Sequence, residues 1–258
     1  MRRNLLKERL KSGETTVGTM VQEMTNPSIA QILHSIGFDF FMIDGEHSPF
    51  NPETVQGIVR VGRLLDMSPL VRVRALDYSL IAGYLDSGAM GLMLPRVELP
   101  EHVESLVSYM KYPPVGVRGL SSDASHSEYQ FGPFREFIEF QNDETLAIAQ
   151  IERKAAIDNL EAIVSVPGVD VALVGPEDLS LSLGVPGQTS HPLVEKAIQR
   201  VIDVSNAHGV VPGVHMGSVE ALAGWHEKGM RMLMLNSDLG FMMESGDVGL
   251  KTLRSIIE

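Results

Sequence analysis

Asp44, Glu46 and His47, two acids and an imidazole able to move protons or hold a cation, follow directly on the apolar run Phe40, Phe41, Met42 and Ile43. A strand apolar on both faces reads as an interior strand of a parallel sheet, with its polar residues just past the carboxyl end. In α/β folds that rim is where ligands bind. Other apolar runs finish the same way: one carries Arg72 and Arg74, AIAQIE ends in Glu152, and VALVGPEDLS leads into Asp178. Glu152 and Asp178 are 26 residues apart, about one βα repeat, so they fall on adjacent strands and converge on one mouth. Two carboxylates with positions left for water suit Mg²⁺ or Mn²⁺. Asp178 in GPEDLS also suits a helix cap, and spacing leaves both roles open. Arg72 and Arg74 alternate onto the same side of a strand, so spacing does not choose between them. Asp44 followed by Gly45 is good turn chemistry, which favours a structural role for it.

Positioning these residues takes strands, and the sequence offers eight: Thr16–Met20, Phe38–Ile43, Leu70–Val73, Gly91–Leu94, Leu146–Ile151, Asp170–Val174, Val210–Val214 and Met230–Leu235. Helix-period segments separate them, with starts marked by Asn26 and Asn51 before prolines and by Ser218 before Glu220. Eight βα units predict an α/β protein, a single (β/α)8 TIM barrel. The 258 residues, 44 % hydrophobic, suit one such domain over 1–258. Lys111 to Gly132 breaks the rhythm with Pro113, Pro114, Gly116, Gly119 and the polar run SSDASHSEYQ. A loop this long is either a surface excursion or a lid that contacts substrate. Met230, Met232, Met234, Met242 and Met243 are expected in the core, where methionine is an adaptable filler.

The formal charge of −12, from 21 basic and 33 acidic side chains, works against a nucleic-acid partner. Without cysteine there are no disulfides, thiolate metal sites or cysteine nucleophiles. No stretch approaches the roughly 20 apolar residues of a membrane span, and MRRNLLKERLKSGE reads as a charged amphipathic helix instead of a signal peptide. A cytoplasmic protein is expected.

FMIDGEHSP, LVRVR, YLDSGAMGLMLP, YPPVGVRG, AQIE and GVDVALVGPEDLS together resemble, in order and spacing, the HpcH/HpaI aldolases. These are metal-dependent class II pyruvate aldolases acting on 4-hydroxy-2-oxo (2-keto-3-deoxy) acids. The resemblance runs from about Val17 to Asp238. It implies that Glu152 and Asp178 ligate the divalent cation (Mg²⁺ or Mn²⁺, with Co²⁺ or Zn²⁺ as alternatives) and that no organic cofactor is used. It further implies that Arg72, in preference to Arg74, faces the keto oxygen, that His47 is paired with Asp86, and that Gln150 is a polar neighbour of the metal. Backbone amides around Gly175, Glu177 and Asp178 match those that receive the pyruvate carboxylate. Val73 stands where many members have proline. The resemblance also implies a homo-oligomer, trimer or hexamer, with the C-terminal helix of Leu239–Glu258 exchanged between subunits.

The chemistry gives each type a reason. Opening a carbon–carbon bond beta to a ketone leaves an enolate, whose developing charge a divalent cation and a guanidinium stabilise. Removing the 4-hydroxyl proton needs a base, and His47 serves directly or through a water, with Asp86 fixing its tautomer. The expected products are pyruvate and an aldehyde. Decarboxylation of oxaloacetate passes through the same enolate and is the alternative reaction. A Schiff-base aldolase would need a desolvated lysine, and Lys154, the lysine near a strand end, stands beside Glu152. A non-catalytic barrel used as a binding module would have lost one of Glu152, Asp178, Arg72 and His47. The loops HMGSVE and NSDLGF give only a weak phosphate-binding signal, so free carboxylic acids are the expected substrates. His215 ends a strand and therefore faces the same mouth; the family does not require it.

Overall fold

The computed structural model describes residues 1–121, 123–130 and 132–257. Its eight strands are β1 (Thr16–Val21), β2 (Phe40–Asp44), β3 (Ser68–Arg72), β4 (Gly91–Leu94), β5 (Leu146–Ile151), β6 (Val171–Val174), β7 (Val211–Met216) and β8 (Met232–Ser237). Each pairs in parallel with the next and β8 returns to β1, closing the barrel. All eight expected strands are present; β4 and β5 have the expected bounds and the other ends are displaced by at most two residues.

Around them, among the described residues, run α1 (Leu5–Lys11), α2 (Ser28–Ile36), α3 (Pro52–Leu64), α4 (Tyr78–Asp86), α5 (Pro100–Met110), α6 (Phe134–Glu144), α7 (Lys154–Asp158), α8 (Leu160–Val164), α9 (Pro176–Ser182), α10 (Pro192–Ala207), α11 (Val219–Glu227) and α12 (Asp238–Ile257). The expected start signals act through side-chain oxygens: Asn51 accepts from Thr54 N–H at 2.8 Å and Ser218 from Ala221 N–H at 3.1 Å. Asn26 instead closes a turn, accepting from Ser28 N–H at 3.0 Å, and α2 begins one residue later than expected.

Strand alternation sorts the apolar residues into two cores. Met20, Phe40, Met42, Leu70, Met93, Leu146, Ile148, Val171, Leu173, Met232 and Met234 fill the barrel, and Leu6 and Leu10 of α1 plug its N-terminal end. The alternate residues, among them Phe41, Ile43, Val71, Leu92, Ala149 and Val174, pack outward under the helices. Each fully buried Leu, Ile, Phe or Met adds about 1.5–3 kcal/mol from apolar transfer. One step beyond the packed interior, the same inward alternation carries Asp44, Arg72, Gln150, His215 and Asn236 to the C-terminal mouth.

Two segments depart from expectation. Lys111 to Gly132, of which residues 122 and 131 lie outside the described residues, does not cover its own barrel's mouth. It climbs the outer surface to Tyr78, whose hydroxyl accepts from Gly119 N–H at 2.8 Å, and returns to the N-terminal side. There Ser125, His126 and Ser127 form one buried 3₁₀ turn against α4, with His126 packed on Phe137. The second departure is α12, whose residue 258 lies outside the described residues. Only Asp238 of this helix is buried; Met242 and Met243 are 60 % and 64 % exposed and so are not core methionines, whereas Met230, Met232 and Met234 are buried. The helix starts against its own barrel, with Phe241 beside the Phe38 ring, and leaves Met242, Met243, Val248, Leu250, Leu253 and Ile256 exposed. The Asp238 carboxylate ties it to the loop after β1, accepting from the N–H groups of Gln22 (2.8 Å), Glu23 (3.1 Å) and Met24 (2.7 Å).

Candidate functional site

Asp44 and Arg72 are the last residues of β2 and β3, and parallel pairing sets them opposite one another. Arg72 Nε donates to Asp44 Oδ1 at 3.0 Å and Nη2 to Oδ2 at 2.7 Å, a bidentate fork with the carboxylate fully buried. Asp44 Oδ1 also accepts from Glu46 N–H at 2.9 Å and His47 N–H at 3.2 Å. Burial pushes the Asp44 carboxyl up, but Arg72 and these amides outweigh it and hold the pKa below its ordinary value. Asp44 therefore closes the turn, as its sequence context suggests, and in addition aims Arg72. Gly45 is required between them, since a Cβ there would stand 2.5 Å from Arg72 O. Arg72 Nη1 reaches Glu46 Oε2 at 3.3 Å. Arg74, beyond the strand, is exposed and donates to Phe50 O at 2.9 Å, so the fold separates the two arginines. Val73 N–H donates to Met93 O at 2.9 Å, a bond that a proline at this position would forgo.

Glu152 follows β5 and is 3 % exposed. Its Oε1 accepts from the backbone N–H of Arg96, held at φ +56°, at 2.6 Å. Its Oε2 is buried and accepts nothing, and neither does the buried Oε1 of Gln150. Burial raises the Glu152 pKa to about 7; Asp178 and Glu46 add to that, while the Arg96 amide and Arg72 oppose it. Gly175 keeps the space open, because a Cβ on it would stand 2.9 Å from Gln150 Nε2 and 3.0 Å from Glu152 Oε2. Asp178 lies in the first turn of α9, whose hydrogen-bond ladder starts with Leu179 N–H to Gly175 O at 3.0 Å. The amides of Glu177 and Asp178 thus precede the ladder.

A recess of about 120 Å³ gathers Glu46, His47, Arg96, Glu152, Arg153, Asp178, Leu181 and Ser182. The side chain of His47 is 64 % exposed at its rim, with Nε2 3.7 Å from Glu46 Oε2. Roomier cavities serve other surfaces: about 490 Å³ beside Arg60 and Tyr129 and about 290 Å³ beside Asn4 and Glu144 on the N-terminal side, and about 520 Å³ between α10 and α11, lined in part by Glu177. The recess is the smaller space but the one that holds the strand-end acids.

A buried carboxylate with an unpartnered oxygen, a second carboxylate beside it and an unpartnered amide oxygen form an all-oxygen donor set suited to a hard divalent cation. Among the described residues no three His, Cys, Asp or Glu side chains form a complete protein cage, so water or substrate oxygens would complete the shell.

The structure thus brings His47, Arg72, Gln150, Glu152, Gly175 and Asp178 to one end of the barrel. It does not bring Asp86 there. Asp86 ends α4, which runs from the mouth toward the N-terminal side, and its Oδ1 accepts from Arg118 Nη2 at 2.6 Å. Lys154 is exposed and paired with Asp158 at 2.5 Å, so among the described residues no desolvated amine stands at the mouth. Lys111, whose pKa burial lowers to about 7, is on the N-terminal side, bonded to Thr145 and Asn142. Sequence reasoning missed three participants. Counting alternation from Phe40 and Met42 to Asp44 would have found the partner of Arg72. Glu46 stood in the motif without an assigned task, and the Arg96 amide left no side-chain signal.

Comparison with known proteins points one way. The profile of the family described as HpcH/HpaI aldolase/citrate lyase matches residues 20–245. A 5-keto-4-deoxy-D-glucarate aldolase from Shigella boydii is 34 % identical over 238 residues, 92 % of this chain and 91 % of its own. An HpcH/HpaI aldolase from Desulfitobacterium hafniense has a similar structure, with a TM-score of 0.93, 34 % identity and 96 % of each chain covered. A Burkholderia cenocepacia protein of the same family gives 0.90 at 31 % identity, with 97 % and 99 % covered.

Proposed function

The chain belongs to the HpcH/HpaI aldolase/citrate lyase family and is a carbon–carbon lyase, and from that premise we propose that it cleaves a 4-hydroxy-2-oxo acid reversibly to pyruvate and an aldehyde. The observation that carries this reading is the buried, unpartnered Oε2 of Glu152 beside Asp178, in a recess shared with His47. Glu152 and Asp178 would hold a divalent cation, which when bound acts as a Lewis acid toward the 2-oxo acid's oxygens.

The protein's own groups then divide the work. Arg72, locked by Asp44, presents its guanidinium to the keto oxygen, where negative charge grows as the C3–C4 bond opens. His47 takes the proton from the 4-hydroxyl, the oxygen's electrons form the aldehyde carbonyl, and the C3–C4 pair moves into the enolate of pyruvate. Protonation at C3 completes pyruvate. The amides of Glu177 and Asp178, ahead of the α9 ladder, receive the substrate carboxylate, and Gly175 leaves room for it. Asp86 reaches His47 from a neighbouring copy of the chain, because within one chain the two are at opposite ends of the barrel. The uncovered face of α12 supports such a homo-oligomer, a trimer or hexamer with that helix exchanged; light scattering that finds a monomer at micromolar concentration overturns this part. No helix among the described residues is long and apolar enough to cross a membrane. A cytoplasmic setting belongs to the same reading, since a chain without cysteine needs no oxidising compartment to fold.

The test is deuterium exchange at C3 of pyruvate in D₂O, followed by NMR. Exchange with Mg²⁺ or Mn²⁺ that disappears with EDTA is expected. Exchange resistant to EDTA, together with borohydride trapping of a pyruvate adduct, would falsify the class II reading. Adding oxaloacetate in parallel shows which lyase reaction dominates.

A further inference from the structure

One histidine at the mouth has no task in the reaction above. His215 follows Val211 and Gly213 in the inward alternation of β7 and stands level with Arg72 and Gln150. Its Nε2 lies 2.9 Å from Asn236 O. A carbonyl oxygen only accepts, so Nε2 carries the proton, and the neutral ring keeps its lone pair on Nδ1. Among the described residues no donor is paired with that nitrogen.

The carbonyl that sets this tautomer is itself held. Asn236 sits at φ +49°, a left-handed conformation that a non-glycine residue adopts at a cost of about 1 kcal/mol or more. Asn236 O also accepts from Thr19 Oγ1 at 3.2 Å, and its Oδ1 accepts from Ser237 N–H at 2.8 Å. Gly240 leaves room for that side chain, because a Cβ there would lie 1.8 Å from Asn236 Oδ1 and push it aside. Strain maintained by several contacts around one imidazole is the pattern of a functional position.

The charged groups facing His215 are Arg72 and Asp44. Burial, helped by Arg72, holds the imidazole below its ordinary pKa against the Asn236 carbonyl and Asp44. The ring is therefore neutral near pH 7, and Nδ1 is an acceptor. Arg72 makes no hydrogen bond to it, three of its five N–H groups being directed to Asp44 and Glu46. The half-buried nitrogen is left to water or to a donor that arrives with the ligand.

We propose that His215 Nδ1 accepts a hydrogen bond from a hydroxyl on the aldehyde half of the substrate, making it a specificity-determining residue that separates hydroxyaldehydes from their methyl isosteres. This rests on the aldolase reading and concerns only the half of the substrate that is not pyruvate. A methyl group set against Nδ1 would displace water from this half-buried nitrogen and leave it unpaired, which penalises the methyl analogue more than the hydrogen bond alone would suggest.

The experiment compares addition of pyruvate to glycolaldehyde and to propanal, which differ by a hydroxyl in place of a methyl, using purified protein with Mn²⁺. The wild type should favour glycolaldehyde by about ten-fold or more in kcat/KM. His215→Leu should bring the ratio close to one, lowering glycolaldehyde turnover far more than propanal turnover, and His215→Asn, which keeps an acceptor oxygen, should restore part of the preference. A wild-type ratio near one, or a ratio unchanged in His215→Leu, overturns the inference, and the wild-type ratio decides even if a variant does not fold. Deuterium exchange into pyruvate run alongside separates the failures: exchange without addition to either aldehyde removes the His215 inference alone, and no exchange removes the aldolase reading beneath it.

Discussion

The two ends of this barrel treat buried charged groups differently. On the N-terminal side nearly every buried charge is closed off by the chain itself. Lys7 and Lys111 share Thr145 O at 2.9 and 2.8 Å, Lys7 pairs with Asp170 at 2.9 Å, and Lys111 also bonds Thr145 Oγ1 and Asn142 O. Arg118 keeps two unpaired nitrogens, but its guanidinium lies over the Tyr112 ring, 4.7 Å from the centroid, and holds Asp86. At the mouth, carboxylate and amide oxygens remain buried and unpaired, and one carboxyl is destabilised in its charged form. Polar burial at one end completes the fold; at the other it leaves bonds for a ligand to make.

That contrast is easiest to break at Glu152. Glu152→Gln should lower kcat/KM about a thousand-fold, while thermal unfolding without added metal stays level or rises, because a neutral amide replaces a poorly solvated carboxylate. A large loss of stability would place Glu152 with the structural set. The complementary change is Asn4→Ala on the N-terminal side. The Asn4 side chain accepts from Lys7 N–H and donates to Met90 O at 2.8 Å and Glu144 O at 2.8 Å, so its removal should cost about 2–3 kcal/mol in urea unfolding with kcat unchanged.

The smallest expected effect sharpens the contrast through pH. His126 has its pKa lowered to about 4 by burial, with Arg118 adding to it. In the unfolded chain it binds a proton near pH 6.5, so the unfolded state takes up more protons between about pH 6.5 and 4. The stability it confers is complete above that window and is lost as pH falls through it. By pH 5.5 the wild type should lose about 1 kcal/mol more than His126→Asn, measured from pH 7.5 by urea midpoints. Parallel pH dependence in the two proteins would assign the buried turn no such role.

Much of this was readable in the residues. Runs apolar on both faces can hardly be anything but parallel strands under helices, and spacing of one βα unit is enough to put Glu152 and Asp178 side by side. Alternation also reached His215. What local pattern could not carry was anything decided across elements. Arg72 and Arg74 have the same parity, and only the end of β3 and the turn that follows separate them. Asp44 looked complete as a turn residue because its second partner lies 28 residues away. The Arg96 contact is made by backbone, which any residue supplies. The segment after α5 had the composition of a lid, but its buried His126 turn packs against α4 and Phe137, contacts that no periodicity announces. Asp86 was assigned by resemblance, and its place at the far end of α4 follows only from the direction of the helix.

The Asp238 clamp has a mechanical consequence. Its carboxylate is the fulcrum of a rod about 30 Å long, and the short arm of that rod is the Gln22–Met24 loop. Gln22 Nε2 stands 3.4 Å from Asp44 Oδ2, and Asp44 aims Arg72. The long helix and the rim loop thus hang on one carboxylate, and that loop stands a single contact away from the pair that orients the guanidinium at the mouth.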